Sequence, residues 1–235
     1  MKIALLGYGK MGQIIEEIAL SRGHEIVLQK TSQSSFEGLE KADVAIDFSV
    51  PSAAVRNISE CLHTNVPIVS GTTGWLDEYQ AMVDLCQKQN GAFIYGSNFS
   101  LGVNIFFELN AHLARVMAQF DQYKVSMEEI HHTQKLDAPS GTAISLAQGI
   151  IKESNYKHWA LKSEQKKDEH TIQINALRIE NVPGTHTICY DSDIDAIEIK
   201  HTAHNRKGFA LGAVVAAEWL VGKKGVYTMK DVLNL

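Results

Sequence analysis

The first thirty residues alternate between strand-like and helix-like segments around a glycine-rich turn. Ile3 to Leu6 is a continuous apolar run, as expected of a buried parallel strand. The turn follows directly. An apolar stripe after the turn predicts a helix to about Arg22. A second strand is predicted over residues 25–29. The turn consists of Gly7, Tyr8, Gly9, Lys10, Met11 and Gly12. A G-x-G-x-x-G turn within one βαβ unit predicts a dinucleotide-binding site. The alternative is a glycine-rich turn in another α/β fold.

The end of the second strand bears on the choice of cofactor. Enzymes that use NAD usually place Asp or Glu there to bind the ribose 2′-hydroxyl. This chain has Gln29-Lys30-Thr31-Ser32 instead, without a carboxylate and with one cation. We therefore expect Lys30 to bind a 2′-phosphate and NADPH to be preferred, with NADH possible. The alternative is that Lys30 is simply solvated.

Strands and helices continue to alternate through the first hundred residues. Further strands are predicted over 44–48, 67–70 and 92–95, and helices over 52–62, 76–89 and 103–120. This alternation predicts a parallel sheet of the Rossmann type. Small and polar residues collect after these strands, where ligands bind in such sheets. They include Ser49, Gly71-Thr72-Thr73 and Asn98-Phe99.

The second half of the chain is richer in strands. Strands are predicted over 123–131, 171–179, 186–190 and 195–201, with one helix from about residue 143 and a polar loop over 155–169. A helix returns over 209–221, and Thr228 with Asp231 predicts the cap of a last short helix. We expect an α/β protein whose second, α+β domain is built on an open mixed sheet. The predicted domains are 1–100 with 210–235, for the dinucleotide, and 101–209, for substrate binding and oligomerisation.

Composition restricts the classes of function. The net charge of −5 gives no support to a nucleic-acid-binding surface. Cys61, Cys86 and Cys189 are far apart and lack C-x-x-C spacing, so they suggest neither a disulfide framework nor a zinc ribbon. The N-terminus is too short an apolar run for a signal peptide, and no segment is expected to span a membrane. A cytoplasmic protein with reduced, buried thiols is expected.

A cationic loop precedes the helix of the second domain. His131, His132 and Lys135 lie within five residues and are followed by Ser140-Gly141-Thr142, which is typical of a helix start. Cations beside a helix N-terminus form a natural site for a small anion. A polar loop with no special task is the alternative.

After a dinucleotide domain, this loop suggests hydride transfer to a small anionic substrate. Such a reduction also needs a proton, for which His is the usual donor and Lys a possible one. On an extended segment His131 and His132 point to opposite sides, so different roles are expected. A Schiff-base role for Lys135 fits poorly beside a nicotinamide. A zinc site at His201 and His204 lacks a third ligand, so no metal is expected. Arg206 is either a carboxylate clamp or part of a surface ion pair.

The chain resembles the 4-hydroxy-tetrahydrodipicolinate reductase (dihydrodipicolinate reductase) family of diaminopimelate and lysine biosynthesis over its whole length. The most specific match is Glu129-x-His131-His132-x-x-Lys135-x-Asp137-Ala138-Pro139-Ser140-Gly141-Thr142-Ala143. Asp47-Phe48-Ser49, Gly71-Thr72-Thr73-Gly74 and the segments beginning at Asn98 and His201 agree as well. The first turn departs from the common family pattern, since it is one residue shorter.

The resemblance implies a role for each candidate residue. His131 would be the acid/base and Lys135 the proton donor, whereas His132, Ser140, Gly141 and Thr142 would bind the carboxylates of a small dicarboxylate substrate. Residues 7–12 would hold the cofactor pyrophosphate, and Lys30 lies where the family often has Arg for the 2′-phosphate. The nicotinamide half would be lined by Gly71, Thr72, Thr73, Gly96, Ser97, Asn98 and Phe99. A homotetramer is also implied.

Two other functions stay open from the sequence. One is another amino-acid-pathway dehydrogenase of the aspartate or homoserine type, which would share the glycine turn but has no reason to carry the cationic loop. The other is a non-catalytic nucleotide-sensing module, in which that loop would be idle.

Overall fold

The computed structural model describes residues 1–164 and 168–235, which form two compact units. Unit 1 comprises Met1–Asn104 with Lys207–Leu235, and unit 2 comprises Ile105–Arg206. The divisions predicted from the sequence, after residues 100 and 209, fall within four residues of these. No helix among the described residues is long and apolar enough to cross a membrane.

The elements follow one another in the order expected for an α/β protein. The strands are β1 (Lys2–Leu6), β2 (Glu25–Lys30), β3 (Val44–Asp47), β4 (Ile68–Ser70), β5 (Ala92–Tyr95), β6 (Lys124–His131), β7 (His158–Leu161), β8 (Thr171–Arg178), β9 (Gly184–Asp191), β10 (Ala196–Ala203) and β11 (Gly225–Tyr227). The α-helices are α1 (Lys10–Ser21), α2 (Pro51–His63), α3 (Tyr79–Lys88), α4 (Leu101–Met117), α5 (Gly141–Glu153), α6 (Lys207–Leu220) and α7 (Met229–Leu233).

Unit 1 is a parallel sheet of six strands in the order β11-β5-β4-β3-β1-β2. Alternate residues of β1 enter two different apolar cores, since Ile3 packs with α1 and α6 whereas Ala4 packs with α2 and α3. Helices therefore cover both faces, which explains why the strands are apolar throughout rather than alternating. The predicted Rossmann-like fold is confirmed.

Unit 2 is an open mixed sheet in the order β10-β9-β6-β8-β7. The central strand β6 pairs with β8 in parallel and with β9 antiparallel. Helices α4 and α5 pack on this sheet through Phe106, Leu146, Ile150 and their neighbours. The register sets Glu129 opposite His186 and His131 opposite Arg178, which brings four ionisable side chains to one end of β6. The predicted second domain on a mixed sheet is confirmed.

Some local predictions were wrong. The segment 155–169 was predicted to be a loop, but it contains the edge strand β7 and a 3₁₀ turn at Lys162–Glu164, while residues 165–167 lie outside the described part. Strand β11 (Gly225–Tyr227) was not predicted. The predicted capping box of Thr228 and Asp231 is present at α7. All three thiols are free, but Cys189 is half-buried rather than buried.

Candidate active site

The three glycines of the first turn have distinct surroundings. Gly7 has φ of +102°, and a Cβ atom there would overlap the carbonyl of Phe48. A Cβ atom on Gly12 would overlap the carbonyl oxygen of Gly7, whereas one on Gly9 would meet no atom within 4 Å. Gly7 and Gly12 are therefore required by the fold itself, while Gly9 keeps space open in front of the turn.

A cavity of about 350 Å³ lies at the turn within unit 1. Helix α1 begins at Lys10 with Gly9 as its N-cap and no side chain capping it, so its first backbone N–H groups have no partner within the helix. Such an end favours a phosphate group. The cavity is lined by Gly7, Tyr8, Gly9, Lys30, Thr31, Ser32, Phe48, Ser49, Val50, Ala53 and Asn57. These residues fit the pyrophosphate and adjoining ribose of a dinucleotide.

Lys30 is held against this cavity from the end of β2. Its Nζ atom donates to the carbonyl of Thr31 at 3.1 Å and lies 4.6 Å from the centre of the Phe36 ring. The Arg56 guanidinium lies 5.5 Å from the same ring centre, so a second cation that the sequence did not indicate is close by. The nearby carboxylate of Glu16 is already engaged, since it accepts from Gln29 at 2.5 Å and from the Tyr8 hydroxyl.

The loops after β3 and β4 are tied together by a buried carboxylate that was not predicted. Asp47 is fully buried and accepts from Ser49, Asn57 and Ser70 at 2.6–2.8 Å, and burial raises its pKa. Thr72 accepts from the Ser49 backbone at 2.8 Å and is itself buried. The side chain of Thr72 is thus part of the scaffold.

The other residues predicted to line the nicotinamide half differ in their exposure to solvent. Thr73 and Ser97 are exposed, whereas Phe99 is 1% exposed and packs in the core of unit 1. A Cβ atom on Gly71 would overlap the Phe48 ring, and one on Gly96 would come within 3.1 Å of the Phe99 ring. The Asn98 side chain accepts from the Ser100 backbone at 2.9 Å and so shapes its own turn.

In unit 2, β6 places His131 at its carboxyl end. His131 is 8% exposed, and its Nδ1 lies 3.3 Å from a carboxylate oxygen of Glu129. His132 is half-buried. Lys135 pairs with Asp137 at 2.8 Å, and its hydrogen bond lowers the pKa of that carboxyl. The structure therefore brings the predicted catalytic residues onto one strand end and the turn that follows it.

Helix α5 begins directly after this loop. Ser140 is its N-cap, with the hydroxyl oxygen accepting from the Ala143 backbone at 3.2 Å and the backbone N–H donating to Glu129. Ser140 is 2% exposed, so its polar groups serve the protein. Gly141 is exposed and Thr142 is half-buried, and their backbone amides belong to the first turn of the helix. At this helix start Gly141 and Thr142 are therefore accessible to a carboxylate, whereas Ser140 is not.

Three ionisable residues around His131 were not given a role by the sequence. Glu129 is fully buried, and although burial opposes its ionisation, its contacts with His131 and Ser140 lower its pKa to about 2. Arg178 pairs with Glu129 at 3.2 Å. Burial and the neighbouring His131 lower the pKa of His186 to about 4. Glu129 was a matched residue of the motif without an assigned role, whereas Arg178 and His186 come from β8 and β9 and depend on register.

One group of donors in unit 2 has metal-ligand spacing. Donor atoms of Glu129, His131 and His186 all lie within 4.8 Å of one another. The Glu129 carboxylate is already used by Ser140 and by the Arg178 guanidinium, whose charge opposes a cation at this place. We therefore treat the group as an ion-pair network. Among residues 1–164 and 168–235, His201 and His204 belong to no such group, and Arg206 is exposed.

Comparison with known sequences decides the family. The N-terminal profile of dihydrodipicolinate reductase matches residues 1–99, and the C-terminal profile of the same family matches residues 102–233. The chain belongs to the dihydrodipicolinate reductase family. It is therefore an oxidoreductase with a nucleotide-binding Rossmann domain.

Individual members of the reductase family are similar over nearly the whole chain. The 4-hydroxy-tetrahydrodipicolinate reductase of Christiangramia forsetii is 58% identical, over 100% of this chain and 98% of that protein. The enzyme of the same name from Methanocaldococcus jannaschii is 36% identical, over 98% and 81%. A dipicolinate-bound dihydrodipicolinate reductase from a Paenisporosarcina species has a TM-score of 0.76 at 24% identity, covering 97% of each chain, which shows the same fold.

Proposed function

We propose that this protein reduces 4-hydroxy-tetrahydrodipicolinate to tetrahydrodipicolinate with NAD(P)H, in diaminopimelate and lysine biosynthesis. The observation that carries the proposal is the end of β6, where His131 and Lys135 stand next to the open first turn of α5. Relatives at 58% and 36% identity that carry the name of this enzyme support it. An aspartate or homoserine type of dehydrogenase has no use for this cluster.

The reaction replaces a ring hydroxyl by hydrogen. A hydride and a proton are consumed and water is released, so the protein must supply one proton-transfer group and hold a dianionic ring. The nicotinamide supplies the hydride when bound. His131 and Lys135 provide the acid/base groups, because His and Lys are both side-chain types that donate protons in such reactions. Lys135 pairs with Asp137 at 2.8 Å, which holds its amine on the turn that follows β6.

The substrate carboxylates fit the other half of the loop. The Gly141 and Thr142 amides present N–H donors at the positive end of α5, and His132 adds a polar side chain. Binding of dipicolinate by the Paenisporosarcina enzyme supports a small dicarboxylate as the ligand. Ser140 contributes by fixing this helix start rather than by direct contact.

We assign the cofactor to unit 1 and the substrate to unit 2. Residues 7–12 would hold the pyrophosphate, and the loops at Gly71–Thr73 and Gly96–Phe99 would line the nicotinamide half. NADPH is proposed as the preferred cofactor because Lys30 and Arg56 carry positive charge near the cavity, while the nearby Glu16 carboxylate is engaged by Tyr8 and Gln29. NADH remains usable in this proposal.

Unit 2 is also proposed to carry the subunit contacts of a homotetramer. The edge strand β10 presents largely exposed side chains, including Ile197 at 40% exposure. An edge strand with exposed apolar side chains is a suitable surface for pairing between subunits. Light scattering coupled to gel filtration tests this assembly. A cytoplasmic location stays a prediction.

The function itself is tested by one assay. The unstable condensation product of pyruvate and aspartate semialdehyde is supplied to the purified protein, and NADPH absorbance is followed. We expect oxidation that depends on the substrate and that pyridine-2,6-dicarboxylate inhibits competitively. Binding of NADPH without oxidation would favour the nucleotide-sensing alternative and reject the proposal.

A further inference from the structure

One buried carboxylate contacts both parts of the cationic loop. The Glu129 side chain is 0% exposed. Each of its oxygens lies 3.1 Å from the backbone nitrogen of Ser140, where α5 begins, and one lies 3.3 Å from Nδ1 of His131. Glu129 therefore links the proton-transfer residue to the helix start nine residues further along the chain.

The Arg178 guanidinium holds the segment between those two ends. Its Nη2 donates to Glu129 at 3.2 Å and to the carbonyl of Asp137 at 2.5 Å, and its Nε donates to the carbonyl of Lys135 at 3.2 Å. A planar guanidinium suits this task because its donors have a fixed relative geometry. Lys135 and Asp137 are thus fixed through their backbones by a residue of a different strand.

His186 completes the arrangement from β9. Its Nε2 lies 3.2 Å from the Ser140 hydroxyl oxygen. That oxygen also accepts from the Ala143 backbone at 3.2 Å, so one hydroxyl group joins His186 to the first turn of α5. The His186 ring also packs edge-on against His131, with 5.1 Å between ring centres. The cap of α5 and the His131 ring are therefore supported by the same side chain.

We propose that Glu129 and Arg178 are positioning residues, which act through His131, Lys135 and Ser140 to hold the proton-transfer and carboxylate-binding halves of the loop in one geometry. The inference rests on the proposed function. Its physical basis is the cost of a buried charge: Glu129 is tolerated at zero exposure only while its partners stay in place, so the pair enforces the loop conformation. Displacements of about 1 Å in a reacting group cost on the order of 10²-fold in rate.

The test compares two neighbouring residues of the same strand. Glu129→Gln keeps the shape of the side chain but removes the charge, while Glu128→Gln makes the same change next to it, where the carboxylate contacts Asn175 at 2.9 Å. For Glu129→Gln we expect kcat to fall by about 10²-fold and the inhibition constant of pyridine-2,6-dicarboxylate to rise, with the Kd for NADPH unchanged. Glu128→Gln is expected to behave as wild type. A Glu129→Gln protein with wild-type kcat and inhibition constant would overturn the proposal.

Variants of Arg178 provide a second test, which does not require the Glu129→Gln protein to fold. Arg178→Lys keeps the positive charge but loses the planar guanidinium, and Arg178→Ala loses both. We therefore expect kcat to be lower than wild type in Arg178→Lys and lower still in Arg178→Ala. Millimolar guanidinium should restore part of the activity of Arg178→Ala and none of that of Glu129→Gln. A mere loss of stability would not produce this difference between the two variants. If Glu129→Gln does not fold, this rescue decides the question, and its absence in a folded Arg178→Ala protein overturns the proposal.

The outcome is separable from that of the proposed function. If wild-type protein fails to oxidise NADPH with the substrate, the proposed function fails. If wild type is active and the Glu129 and Arg178 variants are equally active, the proposed function stands and the positioning role alone is rejected.

Discussion

A Cβ atom placed on Gly184 would come within 3.1 Å of Nε2 of His131. Gly184 is the first residue of β9, and its backbone has no positive φ that would exclude a side chain. The absence of a side chain at this position therefore serves the His131 ring and not the strand.

Gly184→Ala should consequently displace His131 by a few tenths of an ångström. We expect kcat to fall by about tenfold while the Kd for NADPH stays constant, because the cofactor residues belong to the other unit. Steady-state kinetics and a fluorescence titration with NADPH measure both. Gly208→Ala is the control, since a Cβ atom there meets only ordinary contact at 3.6 Å. Equal kcat in the two variants would contradict this reading of Gly184.

The parts of the site that are contiguous in the sequence could be predicted from it. In the turn at residues 7–12 and in the segment from His131 to Thr142, the key residues lie close together along the chain. Their spacing in the sequence was therefore enough to predict the local structure. Arg178 and His186 could not be found in this way, because their approach to His131 depends on the register of β6 with β8 and β9. Register is set by the packing of the whole sheet.

The missed strand β7 has a related cause. Edge strands need few apolar residues, and only one run of consecutive apolar residues, Trp159-Ala160-Leu161, interrupts the polar, lysine-rich stretch over 155–169. Three apolar residues were not enough to outweigh the composition of the surrounding segment. The pairing of β7 with β8, and not its own sequence, makes it a strand.

Replacement of the two proposed proton-transfer residues tests the chemistry directly. His131→Gln and Lys135→Ala should each lower kcat by on the order of 10² to 10³-fold, the usual contribution of a positioned acid/base group. Binding of NADPH, measured by fluorescence, should be retained. A kcat within a factor of two of wild type would remove that residue from the chemistry.

The glycine turn offers a matched pair of substitutions. Gly9→Ala should fold normally, because a Cβ atom there has open space, but should raise the KM for NADPH by tenfold or more, roughly the loss of one close phosphate approach. Gly12→Ala should instead lower the melting temperature, because its Cβ atom would overlap the carbonyl oxygen of Gly7. Gly9→Ala with unchanged KM for both cofactors would mean that the pyrophosphate does not approach this turn.

The role of Lys30 predicts a change in cofactor preference. Lys30→Ala should raise the KM for NADPH by about tenfold and leave the KM for NADH unchanged, because only NADPH carries the 2′-phosphate. Lys41→Ala, which removes an exposed cation outside the cavity, should change neither. Equal effects of Lys30→Ala on both cofactors would assign Lys30 to structure rather than to the phosphate.

The buried imidazole of His186 predicts how stability depends on pH. Burial, followed by the charge of His131, lowers the pKa of His186 from 6.5 to about 4. Between these values the unfolded chain binds a proton that the folded protein does not, so stability is full above pH 6.5 and declines as the pH falls towards 4. The steepest decline attributable to one such group is about 1.4 kcal/mol per pH unit.

Urea unfolding of the wild type and of His186→Gln, at steps between pH 7.5 and 5, measures this contribution. The variant should be less stable at pH 7.5, because Ser140 loses its partner, and the difference between the two proteins should shrink as the pH is lowered. The range stays above pH 4.5, since the lowered pKa of Glu129 makes its own stabilisation vary only between 4.5 and about 2. A constant difference in unfolding free energy from pH 7.5 to 5 would mean that His186 titrates alike in the folded and unfolded protein, which contradicts a buried, neutral imidazole at this position.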